Sequence, residues 1–329
     1  MVKVWSYALT APRTFNRIDV PAPVAADLGD GQVLLRTLTV GVCGSDLPLY
    51  LGRHSGREDD RGRGGAGLTG YPAHEIVGQV VAATSPDFPV GATAVGWATY
   101  VDALSEYVVT QASDLLPYAG LRPELAIAVQ PLACVLATMA RLPDVRGRTV
   151  AVLGQGPIGI LFSYLLKAAG AAHVIGVDPL DRRGLASSFG VDEMVHATSD
   201  RWAAAIATSD QRPSVIVEAV GHQTGTVADA LRAVADEGYV YAFGVNDEDV
   251  YPISMTQLFR RNLTLMSGMT IRRGAALAAA WRYHGEHPGL LSRYVTTVLA
   301  MSEVGKAFEL AVHPAPDQLK IVLTVGAAA

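Results

Sequence analysis

Apolar positions along the chain change their rhythm near residue 149. Before it, "GQVLLRTLTVGVC" and "HEIVGQVVAAT" are β-branched runs bounded by Gly and Pro, and "VGATAVGWATY" and "LSEYVVTQ" continue them. Residues 1–110 therefore read as β-rich, closer to a small barrel or a strongly bent sheet than to a βαβ unit. "GRHSGREDDRGRGGAGLTG", residues 52–70, has no apolar period and reads as a long exposed loop.

From residue 149 short buried strands alternate with helices. "TVAVL" (149–153), "HVIGVD" (173–178), "SVIVEAVG" (214–221), "YVYAFGV" (239–245) and "LTLMSGM" (263–269) are strands. "IGILFSYLLKAAG" (158–170) and "TGTVADALRAVADEG" are helices between them. This alternation predicts a parallel, doubly wound sheet. The C-terminal stretch is mixed, with a helix near "EVGKAFELAV" and a terminal strand "LKIVLTV".

Length and composition narrow the picture. A chain of 329 residues suits two domains rather than one core. With 50% hydrophobic and 17% charged residues it reads as a soluble globular protein, and its net charge of −5 argues against general nucleic-acid binding. No apolar run is long enough for a membrane span. "MVKVWSYALTAP" lacks the h-region and cleavage site of a signal peptide. Two cysteines make no disulfide framework, so a cytosolic, cytoplasmic setting is expected.

The sharpest local signal is "TVAVLGQGPIGILF". Gly154, Gly156 and Gly159 stand in the spacing G-x-G-x-x-G after a strand, with Pro157 and Ile158 opening a helix. The first glycine permits a tight turn, the second lets pyrophosphate approach the backbone, and the third lets helix and strand pack closely. Phosphates then face the free N–H groups of the helix. Asp178 ends the next strand about 20 residues on, where an acid accepts bonds from the ribose hydroxyls and repels a 2′-phosphate. NAD is therefore expected over NADP. Arg182 and Arg183 are the residues that would meet a phosphate or stack on adenine.

A second constellation is spread along the chain. "TVGVCGSDLPLYLGRHSG" carries Cys43, "YPAHEIVG" carries His74 and Glu75, and "VQPLACVLATMA" carries Gln130. Cys, His and Glu are zinc ligand types, and a catalytic zinc keeps three protein ligands and one open position. Taken singly, Cys43 is equally a small buried hydrophobe and His74 a satisfied core histidine. Their spacing matches no compact zinc finger.

The ordered set "GVCGSD", "HEIVGQVV", "VGATAVGW", "SEYVV", "QPLACVLATMA", "VAVLGQGPIGIL", "VIVEAVG", "FRRNLTL" and "GKAFEL…LKIVLTV" covers nearly the whole chain. In it the chain resembles the medium-chain, zinc-dependent alcohol and polyol dehydrogenases, nearest the sorbitol-, threonine- and galactitol-phosphate-type branch. The resemblance implies an α/β fold: a β-rich GroES-like catalytic domain from residues 1–140 and 271–329, with a Rossmann domain, 141–270, inserted. It implies that Cys43 and His74 ligate a catalytic zinc, with Glu75 an adjacent exchanging ligand or supporting carboxylate. Ser45 would touch the substrate hydroxyl and pass its proton outward. Gln130 stands where the branch has Glu and other members Cys, so it would ligate weakly or act through water.

Two further departures stand out. Only Ala98 to Leu104 joins "VGW" to "SEYVV", where the family's four-cysteine structural-zinc lobe would lie, so that lobe and its zinc are not expected. Cys134 then reads as a packed small residue. Pro48 stands where many relatives have a relay histidine, leaving water, a ribose hydroxyl or His54 as the next proton carrier.

The implied reaction is hydride transfer between NAD and a secondary alcohol or ketone of a polyol, sugar, cyclitol or aminocyclitol, as a homodimer or homotetramer. In loop 52–70, Arg53, Arg57, Arg61 and Arg63 are nearly cancelled by Glu58, Asp59 and Asp60, which reads as a solvated loop. The competing readings are a zinc-independent quinone or enoyl reductase, which lacks the Cys and His ligands kept here, and a nucleotide-binding scaffold that has lost catalysis.

Overall fold

A computed structural model describes residues 2–53, 69–209 and 211–326. His54 and most of the arginine- and acid-rich loop lie outside the described residues. The chain divides into two compact units. One is Met1–Ala133 with Ile271–Ala329, the other Cys134–Thr270.

The first unit opens with an antiparallel hairpin, β1 (Lys3–Ala11) and β2 (Thr14–Pro21). There follow β3 (Gln32–Val42), β4 (Glu75–Ala83), β5 (Thr93–Trp97), β6 (Tyr107–Gln111) and β7 (Leu115–Tyr118). The second unit supplies β8 (Thr149–Leu153), β9 (His173–Asp178), β10 (Glu193–His196), β11 (Val215–Glu218), β12 (Tyr239–Ala242) and β13 (Thr264–Ser267). The chain then returns to the first unit with β14 (Val295–Ala300) and β15 (Lys320–Thr324).

In the first unit seven strands form one sheet. Its order is β14-β15-β3-β4-β5-β7, with β6 also paired to β3. All pairings are antiparallel except β14 with β15. The apolar run in "GQVLLRTLTV" explains β3, which is buried along most of its length: Val33, Leu34, Leu35 and Val40 are at most 3% exposed and Arg36 faces solvent. Val33, Leu35 and Val40 pack with Ile76, Phe308 and Leu323. Filling such a site stabilises by about 1.5–3 kcal/mol per large apolar side chain.

In the second unit the strands are all parallel, in the order β10-β9-β8-β11-β12-β13. Parallel strands are covered on both faces, so they read as unbroken apolar runs. Val150–Leu153 and Val215–Val217 are fully buried accordingly. The strand order reverses between β8 and β11, and ligands of such sheets bind beyond the carboxyl ends of the strands at that switch point. No helix among the described residues is long and apolar enough to cross a membrane.

Candidate metal centre and dinucleotide turn

Within the first unit, β3 runs out at Val42 and delivers Cys43 to a short turn, Gly44–Asp46. A four-residue helical turn, Leu47–Tyr50, follows, with Pro48 buried near its start. Proline suits that place, because its missing N–H would have had no partner in the first turn. β4 begins at Glu75, with His74 just before it. Because β4 pairs with β3, the register sets Glu75 opposite Gly41. The topology thus carries Cys43, His74 and Glu75 to one place, and one ligand atom of each lies within 4.8 Å of the others.

Asp46, 1% exposed, ties two of these residues together. One carboxylate oxygen accepts the Cys43 N–H at 3.0 Å, and the other faces His74 Nδ1 at 3.0 Å. An imidazole held at Nδ1 presents Nε2, the arrangement that fixes a metal-ligating histidine. Burial alone would lower the His74 pKa. The Asp46 carboxylate, and then Cys43, outweigh it and push the pKa up to about 10 in the absence of metal. Ser45 Oγ lies 3.4 Å from Cys43 Sγ and donates to it.

Glu75 is 1% exposed. One carboxylate oxygen pairs with Lys320 Nζ, which also donates to Val42 C=O at 2.9 Å. Lys320 is itself 2% exposed. A Cβ at position 41 would overlap the Glu75 carboxylate, so glycine is required there. Glu75 Oε1 is buried with no hydrogen-bond partner among the described residues. A cysteine sulfur, an oriented imidazole and an orphaned buried carboxylate oxygen form a donor set that fits a zinc ion. Gln130 is buried in the first turn of the helix Val129–Met139. Cys134 lies in the same helix, half-buried.

In the second unit the chain turns at the end of β8. Gly154 takes φ 83° and donates its N–H to Val177 C=O at 2.8 Å. Gly156 caps the helix Pro157–Ala168, with Pro157 and Ile158 in its first turn. A Cβ on Gly159 would collide with the Gly154 carbonyl, so helix and turn pack at a distance only glycine permits. Asp178 ends β9, buried, and its two oxygens accept the N–H groups of Gln155 and Leu180, each at 2.7 Å. Buried Arg182 sets its Nε 4.0 Å from the same carboxylate. Arg183 is exposed and forks onto Asp181, which it holds well below the usual carboxylate range.

Three groups here carry no signal in the sequence pattern. Gln155 is fully buried: it donates to Val152 C=O and accepts from Ser163 Oγ. Glu218, at the end of β11, accepts the N–H groups of Val220 and Gly221. His222 takes φ 56° and sets Nδ1 2.6 Å from Asp247.

The family of zinc-binding dehydrogenases matches residues 157–282. D-altritol 5-dehydrogenase of Agrobacterium fabrum is 26% identical over 315 residues, covering 85% of this chain and 88% of that protein. L-threonine 3-dehydrogenase of Pyrococcus horikoshii is 26% identical over 280 residues, covering 77% of each. An Escherichia coli alcohol dehydrogenase solved with NADH superposes with a TM-score of 0.81 at 18% identity, over 98% of this chain and 99% of that one. The altritol dehydrogenase match runs through both units, and together with the zinc-dehydrogenase match it supports the medium-chain, zinc-dependent alcohol and polyol dehydrogenase family.

Proposed function

We propose that the chain moves a hydride between a secondary alcohol, or its ketone, and a nicotinamide cofactor, on a polar polyol, sugar, cyclitol or aminocyclitol. The observation that carries this is the convergence of Cys43, His74 and Glu75 within 4.8 Å, in a chain that also folds a G-x-G-x-x-G turn. D-altritol and L-threonine dehydrogenases among the relatives favour substrates with several polar groups around the carbinol.

Cys43, His74 and Glu75 hold the zinc, and Gln130 is its neutral neighbour. Zinc bound there supplies Lewis-acid acidification of a hydroxyl near neutral pH. Asp46 keeps the His74 ring oriented through Nδ1. The Ser45 hydroxyl, beside Cys43 Sγ, takes the substrate proton and passes it outward. Pro48 offers no side-chain proton, so the relay leaves by another route.

The cofactor phosphates lie on the turn Gly154, Gly156, Pro157, Ile158 and Gly159 and the free N–H groups of the helix. Asp178 faces the adenosine ribose, and its fixed carboxylate favours NAD over NADP. Arg183 lies beside the adenosine, paired to Asp181. A second copy of the chain covers the edge strand β13 and the exposed apolar side chains of Met255, Phe259 and Met269. A homodimer or homotetramer in the cytoplasm is the working state.

The test is a coupled one. Purified protein is assayed for zinc and screened with NAD and NADP across polyols, cyclitols, aminocyclitols and sugar phosphates. About one zinc per chain and NAD-linked turnover are expected. Turnover that survives chelation in zinc-free protein sinks the zinc reading. NADH binding with no turnover on any substrate sinks the enzymatic one.

A further inference from the structure

The connection Ala98–Leu104, between β5 and β6, runs along the segment that delivers His74. Ala98 N–H donates to His74 C=O at 2.7 Å, Ala103 N–H to Ala73 C=O at 3.0 Å, and Leu104 N–H to Gly70 C=O at 2.9 Å. Residues 70–74 belong to no named strand, so their buried carbonyls need partners from elsewhere. This one loop satisfies three of them.

The loop reverses direction in a turn closed by Val101 N–H on Ala98 C=O at 3.0 Å. Val101 takes φ 61° with its side chain 6% exposed. A β-branched residue in the left-handed region is strained, and such strain persists only where the surroundings over-determine it. The other face of the loop is pinned as well. Thr99 N–H donates to Thr110 Oγ1 at 3.2 Å, and Thr99 Oγ1 donates to Asp114 Oδ2 at 2.9 Å. Asp114 also receives Arg273 Nη1 at 2.8 Å.

We propose that Ala98–Leu104 is the positioning element of the metal centre: it clamps the backbone of residues 70–74 and so fixes where the His74 imidazole meets Cys43 and Glu75. A site of this kind works only when its ligands are held to about 0.5 Å, and His74 has no strand hydrogen bonds before Glu75 to do so. The left-handed Val101 lets one short loop serve both ends of the segment. The inference rests on the zinc reading of Cys43, His74 and Glu75.

The experiment compares three metal-free proteins titrated with zinc and, for its visible spectrum, with cobalt. They are the wild type, a Gly-Gly insertion between Tyr100 and Val101, and Val101→Asn. Tyr100 is exposed at the tip of the loop, where added length costs least. The insertion is expected to raise the zinc Kd about 10-fold, the scale of losing a supporting contact to a ligand, and to shift the cobalt spectrum. NADH binding, read by fluorescence, stays at the wild-type value. Val101→Asn, which tolerates the left-handed turn, keeps the wild-type zinc Kd.

An insertion protein with wild-type zinc Kd and cobalt spectrum overturns the clamp, and a raised zinc Kd in Val101→Asn shows that its loss is not specific to the added length. A wild type that binds neither metal removes the zinc reading and the clamp together. If the insertion also abolishes NADH binding, a single-glycine insertion at the same place carries the same comparison.

Discussion

Lys320 Nζ is buried against the Glu75 carboxylate, with Val42 C=O as its second partner. An ion pair this deep draws little stability from its own attraction, but breaking it leaves one charge alone. Lys320→Met is expected to destabilise metal-free protein by about 3–5 kcal/mol, read by urea unfolding. Lys320→Met with Glu75→Gln recovers a large part of that loss. A single variant as stable as wild type would show that the pair carries no structural weight.

Removing a ligand and removing its support differ in degree. Cys43→Ala is expected to lose zinc and turnover together. Asp46→Asn keeps all three donors but weakens the hold on the His74 ring, so the zinc Kd rises about 10–100-fold. Metal titration of both proteins checks the order. Cys43→Ala with full activity excludes the site.

Acidity at His74 gives a pH dependence with a definite sign. Its pKa in metal-free folded protein, about 10, lies above the ordinary histidine value of 6.5. The stability it contributes is therefore fully present below pH 6.5 and is lost as pH rises through about 10. Zinc must displace that proton, so zinc binding tightens over the same rise. Thermal midpoints of metal-free protein and zinc titrations across this range test both slopes, which run in opposite directions.

Asp178→Ala is expected to shift the ratio of kcat/KM values from NAD toward NADP. The same carboxylate accepts two buried backbone N–H groups, so the substitution also costs about 1–3 kcal/mol of stability. Asp178→Asn separates the effects, since its amide oxygen keeps an acceptor and drops the charge. An unchanged cofactor ratio in both variants contradicts the ribose role.

Phe259 is 84% exposed in the helix Met255–Arg260, which precedes the edge strand β13. Phe259→Arg is expected to shift the protein toward monomer in sedimentation, with zinc content unchanged. A wild-type protein that sediments as a monomer removes the proposed second copy.

What the sequence displays follows from how local each cause is. The strands β8, β9 and β11 are legible because a parallel strand buried on both faces must be an apolar run. The glycine turn is legible because its steric demands fall within six consecutive residues. Around the metal centre the causes are distant. Nothing near Glu75 announces Lys320, and Asp46 joins Cys43 to His74 only once β3 and β4 pair in register. Arg183 reads as a cofactor contact from its position, yet it is already forked onto its neighbour Asp181. The kink at Val101 has no sequence signature either, because a valine gives no sign of a left-handed backbone.

The return of β14 and β15 to the first sheet bears on how the protein is made. Lys320 follows Val42, the carbonyl it caps, by 278 residues, and the whole second unit is synthesised between them. On the ribosome Glu75 emerges long before its counter-charge, so the emerging chain holds an unneutralised acid where the completed fold has a matched pair. Closure of that pocket is then a late event in biosynthesis, one that waits until the inserted unit has already had the opportunity to fold.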